Sequence, residues 1–218
     1  MRLIHPFSAI IGGPSNSGKT YFVKMIIDNM ECVISKPIEN IVYIYSCWQE
    51  VYDHMLAVRH INFIQGLPAT LADDTLLPPE KNNLLIVDDL MSEGSQSDEM
   101  QCVFTKYVHH RNLSCLYLMQ NIFCQGKTAR SISLNTNYLI LYKNVRDRSQ
   151  IMYLARQMFP HQTNFFLDSY LDATSKPYGY LLIDYKSTTP DIARLRTDIL
   201  QGLADAKGSI VYVPRTKK

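Results

Sequence analysis

The sequence predicts an α/β fold in which a mainly parallel sheet is covered by helices on both faces. Three observations carry that expectation. Short apolar runs alternate with helical patterns along the chain, as strands joined by crossover helices require. Several of the runs are apolar at successive positions rather than at every second one, which marks strands buried on both faces. A glycine-rich loop carrying a lysine falls between the first such run and the first helical pattern.

The first strand is read at residues 7–11. After Gly18 the apolar positions Phe22, Val23, Ile26, Ile27 and Met30 recur at helical spacing. A second strand follows at 41–45. Residues 65–83 contain Gly66, Pro68, Pro78 and Pro79, which argue for a loop with little regular structure. The third strand, 84–88, precedes a helix marked by Met100, Val103, Phe104, Tyr107 and Val108. Strands at 115–119 and 138–142 come next. A helix with Ile151, Leu154, Ala155 and Met158 on one face then stops before Pro160, and a last strand is read at 180–185.

Composition bounds the rest. The chain has 218 residues, 46% of them hydrophobic, 19% charged and 11% aromatic. That is globular, and long enough for a three-layer core in a single domain spanning 1–218, ending in a short basic tail at about 214–218. No apolar run approaches the length of a membrane span, and the opening residues, with Arg2, His5, Pro6 and Ser8, do not read as a secretory signal. A soluble intracellular protein without a membrane partner is expected. Cys32, Cys47, Cys102, Cys115 and Cys124 form no C-x-x-C pair and read as reduced thiols. Cys102, His109, His110, Cys115 and Cys124, the nearest approach to a metal cluster, match no zinc spacing. Net charge is only +2 but uneven: residues 1–90 hold 6 Lys/Arg and 10 Asp/Glu, and residues 91–218 hold 16 and 10.

Gly13-Pro14-Ser15-Asn16-Ser17-Gly18-Lys19-Thr20 satisfies G-x-x-x-x-G-K-[ST], the Walker A pattern, in its required strand–loop–helix context. The glycines let backbone N–H groups turn inward around a phosphate, and the helix that follows adds its positive end to the same anion. Lys19 would reach the β/γ-phosphates of ATP, and the Thr20 hydroxyl would coordinate Mg²⁺. The strand 84–88 ends in Asp88 and Asp89, a Walker B arrangement. Asp88 is expected in the Mg²⁺ shell and Asp89 at the attacking water, a task more often given to Glu. Gln120, just past the strand 115–119, lies where ligands bind in open α/β sheets and would sense the γ-phosphate or hold the water. Arg111 closes the helix before that strand. It reads either as a cation suited to the helix dipole or as an arginine finger on a neighbour's nucleotide, with Arg130 and Arg146 competing for that role.

These residues resemble the genome-packaging ATPases of the FtsK/HerA superfamily, in particular those of adintoviruses and the related Maverick/Polinton elements. The likeness runs through His5-Pro6-Phe7, Tyr45-Ser46-Cys47-Trp48-Gln49 with Tyr52, Gln65-Gly66-Leu67-Pro68, and Asp88-Asp89-Leu90-Met91. It continues through His109-His110-Arg111-Asn112, Gln120-Asn121-Ile122-Phe123, Arg130-Ser131-Ile132-Ser133-Leu134-Asn135, Lys143-Asn144-Val145-Arg146-Asp147 and Pro177-Tyr178-Gly179-Tyr180. In that family the aspartate pair is usual, and a Pro commonly stands in place of Val145. The resemblance implies a P-loop NTPase three-layer sandwich of the additional-strand, RecA/FtsK-like type. It also implies an ATP- and Mg²⁺-dependent hydrolase assembled as a homo-oligomer ring, a pentamer or hexamer. Such a ring would move double-stranded DNA into a capsid with viral capsid or portal proteins as partners, in the host nucleus or cytoplasm where virions assemble.

Two other classes share the phosphate loop. A small-molecule or nucleotide kinase would close a basic lid, for which residues 127–148, with five Lys/Arg and one Asp, are the candidate. A nucleotide-gated interaction module would bind without turnover. A GTPase is disfavoured, since Asn144-Val145-Arg146-Asp147 lacks the lysine of N-K-x-D.

Overall fold

The chain runs β1 (Ser8–Gly12), α1 (Lys19–Asp28), α2 (Met30–Val33), β2 (Asn40–Tyr45), α3 (Glu50–Val58), β3 (Asn62–Gln65), β4 (Asn83–Asp88), α4 (Asp98–Cys102), β5 (Leu113–Met119), α5 (Lys127–Leu134), β6 (Tyr138–Tyr142), α6 (Arg148–Met158), α7 (Thr163–Ala173), β7 (Tyr180–Asp184), β8 (Leu195–Thr197) and β9 (Ile210–Tyr212). α4 continues through a π-helical segment, Val103–Tyr107, into a last α-helical turn, Val108–His110. This computed structural model describes residues 1–90, 97–122, 126–200 and 208–215. Met91, Phe123, Cys124 and residues 216–218 of the basic tail lie outside the described residues.

The nine strands of the described residues join one sheet in the order β3-β2-β4-β5-β1-β6-β7-β8-β9. The strands from β3 to β6 are parallel, and β7, β8 and β9 extend the sheet antiparallel. Side chains alternate faces along a strand, so each central strand feeds two cores. Leu85, Val87, Cys115 and Tyr117 pack with Met100, Phe104, Leu154 and Phe166 on one side. Leu84, Ile86, Leu116 and Leu118 pack with Phe22, Ile26, Tyr52 and Met55 on the other. This is why the runs at 84–88 and 115–119 are apolar without alternation. The result is the α/β three-layer sandwich the sequence predicts.

The strand order positions the site. β1, which feeds the lysine loop, and β4, which ends in the acidic pair, are not neighbours. β5 lies between them, pairing Met119 with Gly12 and Leu118 with Asp88. The three segments that carry the candidate residues therefore leave the sheet side by side at one edge, the C-terminal ends of parallel strands, where α/β ligand sites form. This is the additional-strand arrangement.

Some expectations need correction. Gln65 and Asn83, read as the ends of a loop, close β3 and open β4. The residues between them lack regular structure but still bury Leu71 and Leu77 completely. Asn83 pins that loop, donating its amide to the carbonyls of Pro78, Lys81 and Arg111. Phe7 falls just outside β1, although its carbonyl still accepts from Cys115 N, and Tyr185 falls just outside β7. The strands β3, β8 and β9 were not foreseen. They have four, three and three residues, too few to show a period.

Candidate active site

The loop after β1 is pressed against β6. A Cβ on Gly13 would stand 2.6 Å from Tyr142 Cβ, so no larger residue fits there. Gly18 closes the loop at φ 102, a left-handed conformation that costs glycine nothing, and α1 begins at the next residue with its free N–H groups facing the loop. Lys19 is buried and donates its ammonium to the carbonyls of Gly13 (2.8 Å) and Pro14 (2.9 Å). Burial pulls its pKa below the usual lysine value, and the charges of Asp88 and Asp89 oppose that pull.

Thr20, one residue into α1, donates its hydroxyl to Asp88 Oδ2 at 3.1 Å. The same oxygen accepts from the hydroxyls of Tyr43 on β2 (2.8 Å) and Tyr52 on α3 (3.0 Å). Asp88 is buried, which pushes its pKa up, while the three hydroxyls and Lys19 pull it back. Both phenols are driven well above their usual range by burial and by the neighbouring carboxylate, so they remain donors. Their rings pack 4.9 Å apart, within a cluster that includes Phe63 and Trp48. Gln49 Nε2 donates to the Tyr52 hydroxyl at 3.0 Å.

The motif reading missed this clamp. Tyr52 entered only through the resemblance, and Tyr43 was read as one apolar position in a strand. The available signal was a polar-tipped ring inside the apolar run 41–44, next to the strand that ends in Asp88.

Asp89 turns away from its neighbour. It is exposed, sits at φ 57, and accepts from Gln120 Nε2 at 2.9 Å through Oδ1. Lys19, Thr20, Asp88, Asp89 and Gln120 line a single cleft of about 610 Å³, together with Ser15, Asn16 and Gln49. A larger groove of about 1110 Å³ beside α7, lined by Phe165, Ile192 and Arg194, brings none of these residues together.

Neither a protein-family model nor a curated protein matches the chain. Solved structures do. The genome packaging NTPase B204 from Sulfolobus turreted icosahedral virus 2, in complex with ATP-gammaS, aligns at TM-score 0.53 and 11% identity over 84% of this chain and 95% of its own. B204, the DNA-packaging ATPase from Sulfolobus turreted icosahedral virus, gives 0.54 and 10% over 85% and 95%. The cytoplasmic domain of the type VII secretion ATPase EccC from Thermomonospora curvata gives 0.53 and 15%, over 84% of this chain and 24% of that one. The chain has the P-loop NTPase fold. Identities this low carry the fold and no more.

Within that P-loop NTPase fold, Gly13 to Thr20, Asp88, Asp89 and Gln120 come together and Arg111 does not. Arg111 stands before β5, at the opposite edge of the sheet. The seven residues of β5 separate it from Gln120 by about 20 Å. It pairs with Asp74 at 2.6 Å and lies 5.5 Å from the Tyr107 ring centre. Arg130, on α5, and Arg146, after β6, are exposed on segments leaving the same edge as the phosphate loop.

The donor set suits Mg²⁺. A threonine hydroxyl and a carboxylate are hard oxygen ligands, and Mg²⁺ in phosphate sites takes one or two carboxylates plus water and phosphate rather than a protein cage. No group of three or more His, Cys, Asp and Glu poised for a metal occurs among the described residues. No helix among them is long and apolar enough to cross a membrane.

Proposed function

We propose that this chain binds ATP with Mg²⁺ at residues 13–20 and hydrolyses it as one subunit of a ring that drives double-stranded DNA into a viral capsid. The observation that carries the catalytic part is the convergence of Lys19, Thr20, Asp88, Asp89 and Gln120 on one cleft. The packaging part is supported by the two B204 structures, a genome packaging NTPase and a DNA-packaging ATPase, and by the resemblance to the packaging ATPases of adintoviruses and Maverick/Polinton elements within the FtsK/HerA superfamily.

Lys19 leaves its carbonyl partners for the β/γ-phosphates as the loop N–H groups take the anion. Thr20 and Asp88 would hold the metal, which when bound would supply positive charge against the developing phosphate charge. Asp89 orients or deprotonates the attacking water, and Gln120 steers Asp89 through the hydrogen bond already formed. Arg111, too far from its own cleft, acts on a neighbour's nucleotide, so mixing Arg111→Ala with Lys19→Ala protein restores part of the lost activity. The absence of any rescue would leave Arg111 a helix-end cation.

Lys127, Arg130, Lys143, Arg146 and Arg148 are all exposed, on the segments that follow β5 and β6. They form the duplex-contacting surface. The kinase alternative needs a lid in this region, but these residues build α5, β6 and the start of α6. The test is the ATPase rate against added duplex DNA. Stimulation that falls steeply with salt, and is lost when Lys127, Arg130 and Arg146 become alanine while basal turnover persists, is the expected outcome. A DNA-independent rate would remove the motor reading.

A further inference from the structure

Beside the phosphate cleft lies a second groove, of about 480 Å³, lined by Pro14, Asn16, Tyr142, Lys143, Thr174 and Tyr178 among others. The two share Ser15, Asn16 and Tyr178. Tyr178, in the turn between α7 and β7, is the aromatic one of these three residues at the junction.

Two features of Tyr178 lack a packing explanation. Its side chain is largely in water, at 68% exposure, so burial does not hold an aromatic there. Its φ is 60, a left-handed conformation that favours glycine and that a side-chain-bearing residue adopts at a cost. Strain kept at an exposed position points to a use for the side chain. The ring is also aimed. It lies over the loop, since a Cβ built on Gly18 would meet Tyr178 Cδ1 at 3.0 Å. The turn that presents it is firmly seated: Gly179 N donates to Lys176 O at 3.0 Å, and a Cβ on Gly179 would stand 2.4 Å from Ala173 O. A second exposed tyrosine, Tyr21, lines the phosphate cleft one residue after Thr20.

We infer that the groove beside Tyr178 is the nucleobase subsite, with the Tyr178 ring as the platform on which the base stacks while its phosphates lie in the loop. The inference rests on the nucleotide reading above and adds where the base goes. An exposed π-face fixed beside a phosphate loop suits a flat heteroaromatic ring, and stacking of this kind is sequence-tolerant because every base has a π-face. Because the platform is already formed, little ordering is needed on binding.

The test compares two ligands that share the phosphate anchor and differ in the base, ADP and inorganic pyrophosphate, titrated calorimetrically with Mg²⁺ into wild type, Tyr178→Ala and Tyr178→Phe. Tyr178→Ala is expected to weaken ADP about five- to a hundredfold and to change pyrophosphate less than about twofold, while Tyr178→Phe keeps ADP binding. Equal weakening of both ligands would make Tyr178 a support for the loop and overturn the inference, as would unchanged ADP affinity in Tyr178→Ala. Wild-type protein that bound neither ligand would instead overturn the nucleotide reading itself. Pyrophosphate binding without any gain for ADP would overturn only the base subsite.

Discussion

At the end of β4, Asp88 is 3% exposed and receives three hydroxyls on one carboxylate oxygen; in the turn just beyond, Asp89 is exposed at φ 57 and receives the Gln120 amide. The two residues are chemically identical and adjacent, so the difference lies wholly in what the fold puts around them. Two tyrosines from β2 and α3, and the first turn of α1, fix Asp88 through its Oδ2, a restraint that suits the metal-ligand role proposed above. The left-handed turn lifts Asp89 into the cleft, where water can reach it. Side-chain identity does not tell the two apart, and in the function proposed above it is environment that divides the work between them.

Three substitutions probe this difference. The largest effect is expected from Asp88→Asn, which loses Mg²⁺-dependent ATP binding, measured by calorimetry with and without the metal. Retained metal dependence would show that Asp88 is not a ligand. Next comes Asp89→Asn, which keeps ATP binding but lowers turnover at least about tenfold, since only the carboxylate that positions water is removed. If binding falls with turnover, the two aspartates share one role and the division fails. The smallest effect is on stability. Tyr43→Phe keeps the ring and removes one donor from a buried carboxylate, and should cost about 1–2 kcal/mol in urea unfolding. An unchanged midpoint would mean that water replaces the hydroxyl and that the clamp is dispensable.

How much of this could be read in the sequence depends on range. The loop, the acidic pair and Gln120 sit at fixed offsets from apolar runs, so local pattern was enough to find them. The central strands were legible because burial on both faces leaves an uninterrupted apolar run, as at 84–88. Asn62–Gln65 was not, since a half-exposed four-residue edge strand carries no such signature. The Tyr43–Tyr52–Asp88 cluster was illegible for another reason. Its members are 45 and 36 residues from Asp88, and only the pairing of β2 with β4 and the packing of α3 bring them there. Arg111 shows the converse. In the sequence it lies between the acidic strand and Gln120, yet β5, traversed end to end, leaves it at the far end of the strands from Gln120.

The central claim is that the cleft binds and hydrolyses ATP through Lys19, and phosphate release by wild type and Lys19→Ala tests it most directly, with circular dichroism confirming that both are folded. The account predicts Mg²⁺-dependent release by wild type and a rate near background for Lys19→Ala, because the phosphates lose the ammonium that the loop now holds on Gly13 and Pro14. Equal rates from two folded proteins would contradict it.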